Sequence, residues 1–144
     1  MIDEHIINDM NLARNSILKS NNSVVVVKNG ILLAKKSGNG LRPILELINE
    51  FEKDIQGSVI GDKILGKASA LLCVYCGVKG VYSPQSTKSA IAILLKNSIP
   101  SQIDRIIPFI QNKDGNDICP FERMIENIES PIDAYKILKK IIMK

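Results

Sequence analysis

The fold turns on residues 24–34, Val24-Val25-Val26-Val27-Lys28-Asn29-Gly30-Ile31-Leu32-Leu33-Ala34. Two β-prone runs flank an Asn-Gly pair. That pair supplies the two positive-φ positions a tight hairpin turn needs. The spacing predicts two antiparallel strands, and their continuous apolar character predicts burial on both faces.

Ile6, Met10, Ala13 and Ile17 recur at helical spacing upstream of the hairpin, with Ile7 and Leu18 beside the stripe. Asp3 can cap this first helix and Asn21-Asn22 stops it. Downstream, Ser37-Gly38-Asn39-Gly40 breaks the second strand. Leu41, Ile44, Leu45, Ile48, Phe51 and Ile55 then repeat every 3.6 residues, with Pro43 near the helix start and Gly57 at its end. Residues 58–61 read as a short extended lead-in to a third helix, which opens through Asp62–Lys67 and continues from Ala68 to Cys76. This helix is apolar nearly all round, so it is expected to be covered on most sides. Gly77 ends it.

Val78–Ser83 reads as a strand, and Ser86 or Thr87 caps a fourth helix with Ala90, Ile91, Leu94 and Leu95 inward. Ile103–Ile110 is a further strand, placed at an edge or bent by Pro108. A polar loop at 111–118 leads to a fifth helix at Cys119-Pro120 and a sixth at Ser130-Pro131, with Asp133 as capping-box acid. Strands separated by helices define an α/β protein: a three-layer α-β-α sandwich with a mixed four- or five-stranded sheet. One domain, 1–144, is expected, with helices at 1–20 and 130–144 as its N- and C-terminal elements.

Composition narrows the function classes. The net charge is +4, aromatics are 4%, and there is no Trp. The lysines are dispersed, with no basic block interleaved with stacking rings, so there is no strong nucleic-acid signal. No apolar run approaches the ~20 residues of a membrane span. Three cysteines and no signal-like N-terminus point to a reducing cytoplasm. Nothing in the sequence calls for a cofactor.

Three clusters carry candidate chemistry. Asp62, Lys63 and Lys67 open the third helix, where two ammonium groups one turn apart and the positive helix terminus suit a phosphate or carboxylate. The same residues also read as a cap and two solvated lysines. Arg42, between the Gly38-Asn39-Gly40 turn and Pro43, offers a bidentate fork beside backbone that can approach an anion; a surface Arg at a helix start is the plain alternative. Cys119-Pro120-Phe121-Glu122 has capping-box geometry, with Cys where Ser, Thr, Asp or Asn would cap better. A thiolate nucleophile with Glu122 as acid or base is one reading, an unusual cap packing its sulfur inward the other. Asn112, Lys113 and Asp117 either rim the same pocket or simply make the turn. Cys73-Val74-Tyr75-Cys76 has Cys-x-x-Cys spacing but sits late in an apolar helix, which suits two small core residues.

Four segments taken together, GNGLRP (38–43), GDKILGKASALL (61–72), IIPFIQNKDG (106–115) and DICPFE (117–122), resemble a family of uncharacterised prokaryotic proteins with a cytidine-deaminase-like fold. The resemblance covers roughly residues 20–130 and implies a test. Zinc deaminases carry H-x-E at the start of one central helix and P-C-x-x-C at the next. By that resemblance Lys67 and Ser69 fall at the His and Glu places, and Gln85 and Lys88, after Pro84, at the two Cys places. No metal ligand set is therefore expected; the single His is His5, far upstream.

Three functions remain in play. The first is a deaminase-like module without zinc that holds a small anionic or nucleotide-like ligand. The second is a non-zinc enzyme using Lys67, Cys119 and Glu122. The third is an interaction protein that forms a homodimer through a terminal amphipathic helix. The pocket is expected where the third and fifth helices start, with Arg42 nearby.

Overall fold

The computed structural model describes residues 3–143. Helix α1 (Glu4–Lys19) starts at Asp3, whose side chain accepts from the His5 N–H at 2.8 Å. Strands β1 (Val24–Lys28) and β2 (Ile31–Lys36) follow, joined by Asn29 and Gly30 at φ 52° and 79°. Both positions are left-handed, as the Asn-Gly pair predicts. Then come α2 (Arg42–Phe51), β3 (Val59–Asp62), α3 (Lys67–Cys76), β4 (Gly80–Thr87), α4 (Lys88–Lys96), β5 (Ser101–Ile107), α5 (Pro120–Met124) and α6 (Pro131–Ile142).

The sheet has five strands in the order β2-β1-β3-β4-β5. β1 is antiparallel to β2 and β3, while β3, β4 and β5 run parallel. On one face α1 lays Met10, Ala13 and Ile17 over Val25, Val27, Val59 and Tyr82. On the other face lies the larger core, built from Val24, Val26, Ile60 and Val81 of the sheet and the inward residues of α2, α3, α4 and α6. At the outer surface of this layer Tyr75 of α3 stacks on Tyr135 of α6, with ring centroids 4.1 Å apart. No helix among the described residues is long and apolar enough to cross a membrane.

Four sequence expectations need correction. The hairpin is not buried throughout. β1 is enclosed by β2 and β3, but β2 is an edge strand, and Ile31, Leu32 and Leu33 are exposed beside a register shift at Val26/Val27. Residues 58–61 are not a lead-in: Val59–Asp62 is the central strand β3, so Asp62 ends a strand instead of capping a helix. β4 does not stop at Ser83 but runs from Gly80 through Pro84 to Thr87, and Thr87 then caps the fourth helix as one of the two expected caps, with the helix starting at Lys88. Its inward residues are Ala90, Ile93 and Leu94, with Leu95 exposed and Ile91 half-buried. The second helix also stops early: Glu52 turns to φ 46°, and Ile55 reaches the core from a 3-10 turn (Glu52–Ile55).

After β3 the chain keeps its pairing for one more step. The Leu65 N–H donates to the Gln85 carbonyl at 2.8 Å, and the Thr87 N–H to the Leu65 carbonyl at 3.0 Å. This bridge sets the starts of α3 and α4 side by side at the carboxyl end of the parallel strands, the end at which α/β sheets collect ligands.

Candidate functional site

A groove of about 680 Å³ opens at that end, along the tips of β4 and β5. Lys67 and Lys88, the first residues of α3 and α4, stand on its rim with Thr87 and Ser89. Ile106–Ile110 forms an apolar wall, and α5 supplies Glu122 and Arg123. Hydrophobic surface with a few convergent polar groups is the usual make-up of a small-molecule site.

The two helix starts are finished differently. Gly66, ahead of α3, has no side chain to cap with, and Glu122 does the work from α5. One carboxylate oxygen accepts from the Lys67 N–H at 2.8 Å, the other from the Ala68 N–H at 2.9 Å. These bonds satisfy two of the otherwise unpaired donors of the first turn, and the negative charge meets the positive helix end. A Cβ at Gly66 would overlap Glu122 Oε1 and Ile110 Cδ1, so glycine is needed for this close approach. At α4, Thr87 caps locally, its hydroxyl accepting from the Ala90 N–H at 3.2 Å.

The charges around α3 form a compact set. Burial raises the Glu122 pKa, against the opposing pull of the Ala68 and Lys67 N–H groups and the Lys67 charge. Asp62, buried at the end of β3, has its pKa pushed up to about 7 by burial. The Ser69 hydroxyl and the Ile64 N–H pull it back, and the Glu122 charge pushes it further up. Lys67 Nζ donates to the Glu126 carbonyl at 2.8 Å and to Glu129 Oε1 at 3.0 Å, so its charge is already shared. Lys88 has no ion-pair partner among the described residues.

The structure brings Lys67, Glu122 and Asp62 together and scatters the other candidates. Arg42 is not nearby: its guanidinium bonds the Ile142 carbonyl at the C-terminal end of α6. That helix of twelve residues, about 18 Å long, begins just after Glu129, the partner of Lys67. Lys63 is exposed on the β3–α3 connection, not one helical turn from Lys67, and its N–H donates to the Ser23 carbonyl. Cys119 is the N-cap of α5, but its sulfur makes no cap bond, and no capping box forms because Glu122 is turned to α3. Asp117 pairs with Arg123 at 2.8 Å and Asn112 bonds Asn116, so both serve the loop, while Lys113 is exposed on it. Cys73 and Cys76 lie in α3, where burial pushes the Cys76 thiol up to about 12 and Cys73 well above its usual value. Cys73 is a core residue and Cys76 packs against the core, and a raised thiol pKa disfavours the thiolate at both.

Thr87, Lys88, Ser89 and Arg123 are groove residues that the sequence did not single out as such. The obstacle was the end of β4. With the strand ended at Ser83, nothing placed Thr87, Lys88 and Ser89 at the tip of a strand beside the start of α3. Gln85, read at a former ligand place, lies in β4, and its side-chain oxygen accepts from Arg105. Among the described residues no three His, Cys, Asp or Glu side chains converge as a metal site would require. The residues at these helix starts therefore do not fit the zinc of a deaminase.

Fold and site together define an α/β protein with a mixed five-stranded sheet and a cation-rimmed groove at two helix starts. The sequence profile described as "TM1506: Domain of unknown function (DUF1893)" matches residues 12–142, and the chain belongs to this DUF1893 family. It is similar in fold to the crystal structure of a DUF1893 family protein, TM1506, from Thermotoga maritima, with 23% identity and a TM-score of 0.84. The alignment covers 97% of this chain and 92% of that one. No curated protein matches the sequence.

Proposed function

We propose that the chain is a binding module for a small anionic ligand of nucleotide-like character, held in the groove between the starts of α3 and α4. The observation that carries this reading is the pairing of Lys88, free of ion pairs among the described residues, with an apolar wall that includes Ile106, Pro108 and Phe109. A cation at a helix start suits phosphate or carboxylate, and the wall suits a ring. The strand order, with two helices starting where β3 and β4 end, supports a cytidine-deaminase-like classification of the fold. The side chains at those starts supply no zinc chemistry, which favours binding over deamination. A reaction through Cys119 is less well supported, since Cys119 is not among the residues lining the groove and Glu122 is committed to α3.

The test is calorimetric titration with AMP, ATP and inorganic pyrophosphate. At least one probe should bind, Lys88→Met should weaken it about tenfold or more, and Lys139→Met with Lys140→Met should leave it unchanged. Equal affinity of Lys88→Met and wild type, or no binding of any probe, would overturn the reading.

A further inference from the structure

One wall of the groove is held to the body of the protein mainly at two places, Gly66 and the packing of Phe121 on the core. After β5 the chain makes an excursion through residues 108–119 and returns in α5. The hydrogen bonds of its tip are internal. The Cys119 N–H donates to the Ile110 carbonyl at 2.7 Å, the Asn112 N–H to the Asp117 carbonyl at 2.8 Å, and the Arg123 guanidinium to Asp117. No residue of α5 is fully buried; Phe121 packs on the core, and Ile125, just beyond the helix, is the first residue enclosed in it. Against the body of the protein both ends of the excursion meet at Gly66. Ile110 arrives before the tip and Glu122 after it, and both fill the space a Cβ would take there. Glu122 adds the two hydrogen bonds to Lys67 and Ala68.

We infer that Glu122 and Gly66 form a latch, and that residues 108–124 open from the groove as one unit when the latch is released. The side-chain-free position at Gly66 is the socket and the Glu122 carboxylate is the bolt. The wall so fastened includes Pro108, Phe109, Ile110, Ile118 and Arg123, so its opening changes access to the groove. The role of the latch as a gate rests on the binding reading above, whereas the latch itself is testable without any ligand. Opening through a local, sub-global unit has a signature distinct from global unfolding: exchange that does not respond to low concentrations of denaturant.

The experiment is native-state amide exchange of the full chain across 0–1 M urea. Residues 110–124, with Lys67 and Ala68, should exchange by a route insensitive to urea, while β1 and β3 follow global unfolding. Two chemically unrelated variants should release the same segment. Glu122→Gln weakens the bolt, Gly66→Ala fills the socket, and each should speed exchange there at least tenfold at zero urea. Alkylation of Cys119 by iodoacetamide, read peptide by peptide, should accelerate in parallel. Val26→Ala, which destabilises the core far from the latch, should leave both rates in the segment unchanged. Urea-dependent exchange of 110–124, or equal acceleration by Val26→Ala and Glu122→Gln, would overturn the inference while leaving the binding proposal standing. Failure of every probe to bind, with the latch signature intact, would do the reverse.

Discussion

The starts of α3 and α4 lie side by side at the same end of the sheet, yet they are built on opposite plans. At α4 the cap is local: Thr87 reaches three residues along its own chain, and Lys88 is left to solvent. At α3 the cap comes from 54 and 55 residues away, brings a full negative charge, and crowds a second buried acid, Asp62. A helix end closed by a distant carboxylate is tied to tertiary structure and to pH. One closed by its own threonine is tied to neither. The contrast leaves an uncommitted charge at only one of two similar helix ends among the described residues.

The two helix starts should differ most in their response to pH. Asp62 titrates near 3.8 unfolded and about 7 folded. The folded state therefore holds the proton more tightly, and the stability this contributes is complete below about pH 4. It is lost as pH rises through the folded value. Between pH 4 and pH 8 the unfolding free energy should fall, by at most on the order of 4 kcal/mol. Asp62→Asn should flatten that slope, as measured by urea denaturation across the range; an unchanged slope would mean that Asp62 is solvated. Next in size is the distant cap. Glu122→Ala strands the Lys67 and Ala68 donors and should cost about 2 kcal/mol at pH 6, measured by the same method. A loss below half of that would remove the asymmetry between the two helix starts.

Thr87→Ala should cost about 1 kcal/mol, the usual worth of a local cap. That cost should be independent of pH between 5 and 8, because the hydrogen-bond partners of the threonine hydroxyl, the Ala90 N–H and the Ser89 hydroxyl, do not titrate there. A pH-dependent cost would show that the two starts are coupled. The smallest expected effect is that of chelation. Dialysis against EDTA should leave the melting temperature unchanged within error, since neither helix start offers a metal donor set. A drop of several degrees would place a structural metal where the side chains give no sign of one.

Much of the fold is legible in residues whose local chemistry admits one solution. Asn29-Gly30 is such a place, and so are the stripe Met10, Ala13, Ile17 and the Gly77 stop, which sits at φ 69°. β3 was legible only as a short extended lead-in, because its four residues, Val59–Asp62, include a glycine and end on an aspartate that also suits a helix cap. The glycine is there for packing: a Cβ at Gly61 would lie 2.9 Å from Val25 Cγ2 and 3.0 Å from Ile17 Cγ1. Only the assembled sheet and α1 reveal that demand. At the site, Cys119-Pro120-Phe121-Glu122 correctly marked a helix start, but the local capping pattern concealed that Glu122 serves another helix. Arg42 illustrates the converse error. Its glycine-flanked setting resembles an anion loop, while its actual partner, the Ile142 carbonyl, lies 100 residues further on, where no local pattern points.

The stacked pair Tyr75 and Tyr135 has a use in the laboratory. The chain has three tyrosines, three phenylalanines and no tryptophan, so its near-ultraviolet signal above the phenylalanine bands comes from the tyrosine rings. Two of the three lie face to face at an interplanar angle of 12°, joining α3 to α6. The third, Tyr82, is sealed under α1, and its hydroxyl donates to Asp104 at 2.6 Å. Near-ultraviolet dichroism thus reads the two faces of the sheet through different rings. Replacing Tyr82 with Phe would leave a signal dominated by the α3–α6 contact, a label-free optical probe of the layer that carries the groove.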